Sequence, residues 1–291
     1  MKTVTALLLC LILAVPSSVF AQDVIAGKEL KLHGTIRDKE NEQPLGYTSI
    51  GVLNKPSGTV SDSTGNFELV VDEAYPNDTL QISMVGYYPV KKLIRDLIKE
   101  NVPVVITLEK KVTTLNEVAV SGRMLNTIVV GRTSSGGLLK ASIIPKGEKA
   151  PTIGAESGLK IAAKKYPAFL ENFNFYLSWN NFKFIKFRLN IYSLKNNLPD
   201  TLLFNREILV SLNNYKTGWT QVGLSSYHFV IKNDCAVTLQ WVDYNKDIVE
   251  APKVLVPVGI SFSHINYYRT ASQDKWKSIK GNSSVYVTLR N

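Results

Sequence analysis

Gly58-Thr59-Val60-Ser61-Asp62-Ser63-Thr64-Gly65-Asn66-Phe67 reads as the end of one strand, a tight reversal and the start of the next. Asp62 can accept hydrogen bonds from backbone amides of the turn, and Gly65 can take the positive φ that the reversal needs. Phe67 then points inward as the following strand begins. A calcium loop is the competing reading, with Asp62, Thr64 and Asn66 at its first, third and fifth positions. It fails because Phe67 stands where such a loop requires glycine.

The flanking sequence extends this pattern in both directions. Leu32, Gly34 and Ile36 alternate with Lys31, His33, Thr35 and Arg37, the period of two of a strand with one buried face. Asp38 to Pro44 is polar and turn-like. Tyr47 to Leu53 alternates again, Asn66 to Val71 gives a further strand, and Asp78 to Met84 another. Leu93, Ile94, Leu97 and Ile98 recur at helical spacing, which predicts one short helix over 93–100. Pro103 ends it, and Val104 to Leu108 closes the unit as a buried strand.

Four ordered pieces of this stretch resemble the carboxypeptidase-regulatory-like family found at the front of many Bacteroidetes envelope proteins. They are His33-Gly34-Thr35-Ile36 with Pro44-Leu45, the Gly58 to Phe67 turn, and Ile82-Ser83-Met84-Val85-Gly86-Tyr87. The resemblance implies a transthyretin-like sandwich and no activity, because the family takes its name from a domain that accompanies the peptidase and lacks its zinc site. Residues 111–122 resemble the segment that follows this domain in TonB-dependent receptors. Only about 170 residues remain after it, too few for a receptor barrel of about 22 strands. Glu117, Val118 and Val120 in this segment are candidate partner-docking residues, against a plain last strand or linker.

Arg123 to Pro151 is rich in Gly, Ser, Thr and Lys and predicts an irregular crossing. Beyond it, Phe173, Phe175, Leu177 and Trp179 alternate with polar residues, as do Ile185, Phe187, Leu189 and Ile191. Further short strands are expected at 207–212, 218–222, 228–231, 237–243, 254–262 and 285–290, a spacing that implies a sandwich or barrel. Phe187 to Tyr192, Leu198-Pro199, Gly218-Trp219 and Leu239-Gln240-Trp241 resemble a β-sandwich that accompanies the first domain in Bacteroidetes proteins. An eight-stranded outer-membrane barrel over 123–291 fits the length but not Lys183, Lys186 and Arg188 within the strands.

At the N-terminus, Lys2, the apolar run Ala6 to Val15 and Val19-Phe20-Ala21 form a secretory signal, with cleavage expected after Ala21. The run is too short to span ~30 Å of hydrocarbon, and no transmembrane segment is expected. Removal of 1–21 leaves Cys235 as the only cysteine, so no intramolecular disulfide is available and packing must supply stability. The net charge of +10 can favour anionic partners, yet the lysines are scattered along the sequence and read as a solvated surface. Export argues against nucleic acid.

Catalytic patterns find little footing. His33, His228 and His264 are isolated and none precedes a glutamate at ligand spacing, so no metal site is expected. Ser157-Gly158-Leu159-Lys160 and Lys216-Thr217-Gly218 mimic two elements of penicillin-recognising serine enzymes, but the Ser-Asp-Asn element is missing. Sugar binding needs no fixed motif, and Trp179, Trp219, Trp241 and Trp276 with Tyr192, Tyr215, Tyr267 and Tyr268 could supply an aromatic face, although core packing is the commoner use. Cys235 reads as a buried small residue.

The sequence thus predicts an all-β protein: a signal peptide (1–21), a carboxypeptidase-regulatory-like β-sandwich (22–110), a linker or extended crossing (111–151) and a second, jelly-roll-like β-sandwich (152–291). Its expected role is that of a non-catalytic exported envelope accessory protein, without cofactor, periplasmic or outer-membrane-associated. The expected partner is an envelope protein or a surface glycan. A carbohydrate-binding module is the alternative, and a serine hydrolase using Ser157 and Lys160 the third reading.

Overall fold

Short alternating strands dominate the computed structural model, which describes residues 29–72, 75–98, 103–111, 126–137, 139–142, 152–163, 165–245 and 253–291. The first domain contains β1 (Glu29–Asp38), β2 (Ser49–Val52), β3 (Gly58–Val60), β4 (Asn66–Asp72), β5 (Thr79–Ser83), β6 (Val90–Leu93), α1 (Ile94–Ile98) and β7 (Val104–Leu108). Two sheets, β4-β1-β7 and β3-β2-β5-β6, enclose Leu32, Ile36, Phe67, Leu69 and Ile106 on one side and Ile50, Val52, Leu80 and Ile82 on the other. Ile94 and Leu97 of α1 join the same core.

The Asp62 turn forms as its residues require. Asp62 Oδ1 accepts from the amides of Thr64 (2.8 Å) and Asn66 (3.0 Å) and from the Thr64 hydroxyl. Gly65 has φ +80°, and a Cβ there would stand 2.7 Å from the carbonyl oxygen of Ile36. Phe67 is buried. Strand β7 departs from the expectation of a buried strand: Val104, Ile106 and Leu108 face the core, and alternation turns Val105 to the uncovered face of the sheet.

The second domain begins earlier than its sequence suggests. It comprises β8 (Thr127–Gly131), β9 (Leu139–Ser142), β10 (Glu156–Ile161), β11 (Ala168–Leu177), β12 (Trp179–Asn180), β13 (Phe184–Lys195), β14 (Leu198–Leu202) and β15 (Leu209–Asn213). It continues with β16 (Gly218–Gly223), β17 (Val230–Ile231), β18 (Cys235–Tyr244), β19 (Val254–Gly259), β20 (Ile265–Arg269), β21 (Lys277–Lys280), β22 (Asn282–Ser283) and β23 (Val285–Arg290). Strands β8 and β9 lie in the stretch expected to be a crossing, yet β8 pairs with β23 and β9 with β19. The Gly- and Ser-rich stretch around them hid both: β8 is a short apolar run of five residues and β9, Leu139–Ser142, is wholly exposed.

The front sheet runs β14-β13-β18-β10-β20-β21, with β15 also on β13. Behind it lies β16-β11-β23-β8, with the smaller sheet β12-β19-β22 beside it and joined through the bond from Ser284 N to Pro257 O. Between the layers, Phe187, Leu189, Ile191, Val237, Leu159 and Cys235 pack against Phe173, Phe175, Leu177, Val287 and Leu289. Among the described residues no helix is long and apolar enough to cross a membrane.

The outer face of the front sheet is also buried, though polar. Glu156 accepts from Asn190 Nδ2 (2.8 Å), Arg269 Nε (2.9 Å) and Arg269 Nη2 (2.5 Å), and also from the Thr238 hydroxyl. Trp276 covers this group, its ring against Tyr192 and under the Arg269 guanidinium. Farther along the same face the first domain docks. Arg188, 2% exposed, bonds Glu207, Gln240 Oε1 (3.2 Å) and the carbonyl of Tyr47. Gln240 Nε2 donates to Ser49 Oγ (3.0 Å), Gln81 Nε2 to Gln273 Oε1 (2.8 Å), and Gln273 Nε2 to Ser83 Oγ (2.8 Å). This seam explains why all four residues of β2 are buried: Ile50 and Val52 face their own core, Ser49 and Gly51 the second domain.

Candidate functional site

Between the two layers of the second sandwich the packing is incomplete. A cavity of about 350 Å³ lies among Phe173, Phe175, Leu177, Phe187, Leu239, Trp241, Val256 and Val285. These are inward-facing positions of strands from both layers, so ordinary alternation supplies an apolar wall. Ala141, Ser142 and Tyr268 line the cavity while being solvent-exposed, which places its mouth between β9 and β20. Polar groups gather near that mouth: Asn266, whose Nδ2 donates to Gly281 O (2.8 Å), and Ser283, whose hydroxyl donates to Asn266 Oδ1 (3.3 Å).

Two residues at the cavity, Trp241 and Tyr267, carry a buried polar atom with no hydrogen-bond partner among the described residues; Trp241 belongs to the core between the layers, Tyr267 to the cluster on the other face of the front sheet. Trp241 is 2% exposed, packs edge-on against Phe182 and Phe187, and its indole Nε1 has no hydrogen-bond partner among the described residues. A buried donor left unsatisfied costs about 1–3 kcal/mol. The cavity volume falls at the lower end of the range for small-molecule sites, and an apolar lining with few polar groups is their usual composition. A bound molecule that carries an acceptor could satisfy this donor while its apolar part fills the space.

The structure separates the residues of the serine-enzyme reading. Ser157 lines the cavity, whereas Lys160 lies three residues on in the same strand and so points to the opposite face. There Lys160 pairs with Asp234 Oδ2 (3.0 Å) and Asn197 Oδ1 (3.1 Å). It cannot activate the Ser157 hydroxyl. Lys216, Thr217 and Gly218 sit at the start of β16 in the other sheet.

The aromatic residues divide between core and surface. Trp241, Tyr192 and Tyr267 are buried, while Trp179, Tyr215 and Tyr268 are exposed. Trp219 lies edge-on between Tyr176 (5.4 Å between ring centroids) and Tyr286 (5.1 Å) on the outer face of the back sheet. Cys235 is fully buried, and that burial pushes its thiol up to about 12. No group of His, Cys, Asp or Glu among the described residues is arranged to hold a metal ion. Glu117, Val118 and Val120 lie outside the described residues. Sequence reasoning missed the cavity because its wall is summed from many strands; the one signal was Trp241, read as core.

Comparison with known proteins identifies the first domain. Residues 32–120 match the family model of the CarboxypepD_reg-like domain. No curated protein matches. Among solved structures, the Clostridial cysteine protease Cwp84 after propeptide cleavage is 11% identical, with 57% of this chain and 40% of that chain covered and a TM-score of 0.40. The cysteine protease and lectin-like domains of Cwp84, a surface layer associated protein of Clostridium difficile, are 10% identical, with 81% and 45% covered and a TM-score of 0.41. The chain spans less than half the length of either.

Proposed function

Starting from a CarboxypepD_reg-like domain docked on a second β-sandwich, we propose that this is an exported, non-catalytic accessory protein of the cell envelope whose second sandwich binds an apolar molecule. The observation that carries the proposal is the cavity of about 350 Å³ with the unpaired indole donor of Trp241 in its wall. Such a volume holds about a dozen groups the size of a water molecule, which suits a short hydrocarbon chain or a ring system bearing one acceptor. Export is supported by the N-terminal sequence, from Lys2 through the apolar run to Ala21. The absence of catalysis is supported by the placement of Ser157 and Lys160 on opposite faces of β10.

A small fluorescent ring compound with one carbonyl acceptor, such as 7-methoxycoumarin, tests this reading. It should bind saturably at one site per chain and accept energy from tryptophan. Ala141→Trp, placed at the solvent-exposed mouth, should abolish binding without altering the melting temperature. Unsaturable binding, or undiminished binding to the Ala141→Trp variant, would sink the reading.

A second reading, a carbohydrate-binding module, is favoured by one observation: the Tyr176–Trp219–Tyr286 strip lies on an outer face beside Asn172, Asn174 and Gln221. Retention of the protein on immobilised glycans, lost in Trp219→Ala, would support it.

A further inference from the structure

The connection between β19 and β20 carries the two most exposed large hydrophobic side chains among the described residues: Ile260, 82% exposed, and Phe262, 83% exposed. The loop that bears them is braced from within. Ser261 Oγ and His264 Nδ1 are 2.8 Å apart, the His264 amide donates to Ser261 Oγ, and Gly281 N donates to His264 O. The apolar side chains are therefore presented outward by a compact turn.

The charged residues that flank this loop in the sequence are almost all basic. From Lys253 to Asn291 the sequence has one acidic residue, Asp274, and that carboxylate is buried and accepts from Thr270 and Lys275. Lys280 pairs with Ile265 at the foot of the loop, Lys277 with Tyr268, and Lys140 of β9 with Pro257. All three lysines are exposed and have no carboxylate partner among the described residues. Lys277 and Lys280 flank the edge strand β21 on its two faces, and Lys140, remote from both in sequence, joins them at that edge of the sandwich. That edge is also the mouth of the cavity. Ile279, 59% exposed, is directly opposite Asn266 and so shares its face, and Leu139, 56% exposed, shares a face of β9 with Ala141.

We propose that this edge docks on an anionic phospholipid bilayer, with Ile260 and Phe262 entering the boundary between headgroups and acyl chains and the lysines lying over the headgroups. Exposed apolar tips with lysines beside them provide both interactions that hold a protein on such a surface: apolar burial and attraction to anionic lipid. The orientation turns the cavity mouth toward lipid; only this last consequence rests on the apolar-ligand reading.

Flotation of the purified chain with vesicles of equal parts phosphatidylcholine and phosphatidylglycerol tests the docking directly. The chain should float with these vesicles, stay behind with pure phosphatidylcholine, and dissociate as salt is raised. The double variant Ile260→Ser/Phe262→Ser should partition about tenfold less or weaker still, and Lys277→Glu/Lys280→Glu should lose the dependence on phosphatidylglycerol, both with parental tryptophan emission. Ala141→Trp, which blocks the cavity but adds an aromatic ring to the lipid-facing edge, should float at least as well as the parent, which separates docking from occupation of the cavity. A chain that ignores anionic vesicles, or an Ile260→Ser/Phe262→Ser variant that floats as well as the parent, overturns the proposal.

Discussion

Replacing Gly51 by alanine should uncouple the two domains. Gly51 lies in β2 with its Cα toward the second domain, and a Cβ there would stand 2.0 Å from the carbonyl oxygen of Ser272 and 3.2 Å from Gln273 Cβ. Real Cβ atoms keep at least 3.0 Å, so the seam must open by about 1 Å. The cross-seam bonds from Gln81 to Gln273 (2.8 Å), Gln273 to Ser83 (2.8 Å), Asn54 N to Gln273 O (2.9 Å) and Gln240 to Ser49 (3.0 Å) then pass out of hydrogen-bonding range. At about 0.5–1.5 kcal/mol each, their loss amounts to about 2–6 kcal/mol of docking energy. The four tryptophans, Trp179, Trp219, Trp241 and Trp276, all lie in the second domain, so their emission reports that domain alone. In the parent, urea transitions followed by tryptophan emission and by backbone circular dichroism should coincide; in Gly51→Ala they should separate, with faster amide exchange in β2 and residues 270–274. Gly136→Ala, where a Cβ meets only Ser134 Oγ at 3.9 Å, is the control. Coincident transitions at the parental midpoint in Gly51→Ala would refute the account of the seam.

Two other residues give equally direct checks. Glu156→Ala removes a side chain that is fully buried and leaves Arg269 with a buried, uncompensated charge; equilibrium unfolding in urea should show a loss of about 3–5 kcal/mol, and a loss below about 1 kcal/mol would show that water reaches Arg269. In the chain without residues 1–21, Cys235 should resist iodoacetamide at pH 8 in the folded state and react fully in denaturant, because burial holds its thiol up near 12; rapid labelling of the folded chain would contradict its packing.

The sequence was most informative where one face of a strand meets a core and the other meets solvent. Strands β1, β4 and β13 announce themselves by alternation, and the Asp62 turn by its side-chain chemistry. Strand β10 did not, because Ser157 interrupts its apolar face and its buried outward residue is a carboxylate, Glu156, whose partners Asn190, Thr238 and Arg269 come from three other strands. Strand β6 was hidden by exposed Lys91 and Lys92, which suit a sheet edge. The seam left no local trace at all, since a glycine that admits a neighbouring domain looks like any glycine in a strand. The basic edge was invisible for a related reason: Lys140 joins Lys277 and Lys280 only after folding.

The seam also dictates an order of events during synthesis. Ser49 lies 191 residues before Gln240, and Gln81 lies 192 before Gln273. The first domain has its own core and can fold as soon as Leu108 has emerged, since domains fold as units from the N-terminus. Until residues 235–274 arrive, the face bearing Ser49, Gly51, Gln81 and Ser83 stands open, a sheet surface with its partner still unmade. The nascent chain therefore passes through an interval in which a finished domain presents an unfinished interface, and holding chaperones would act there.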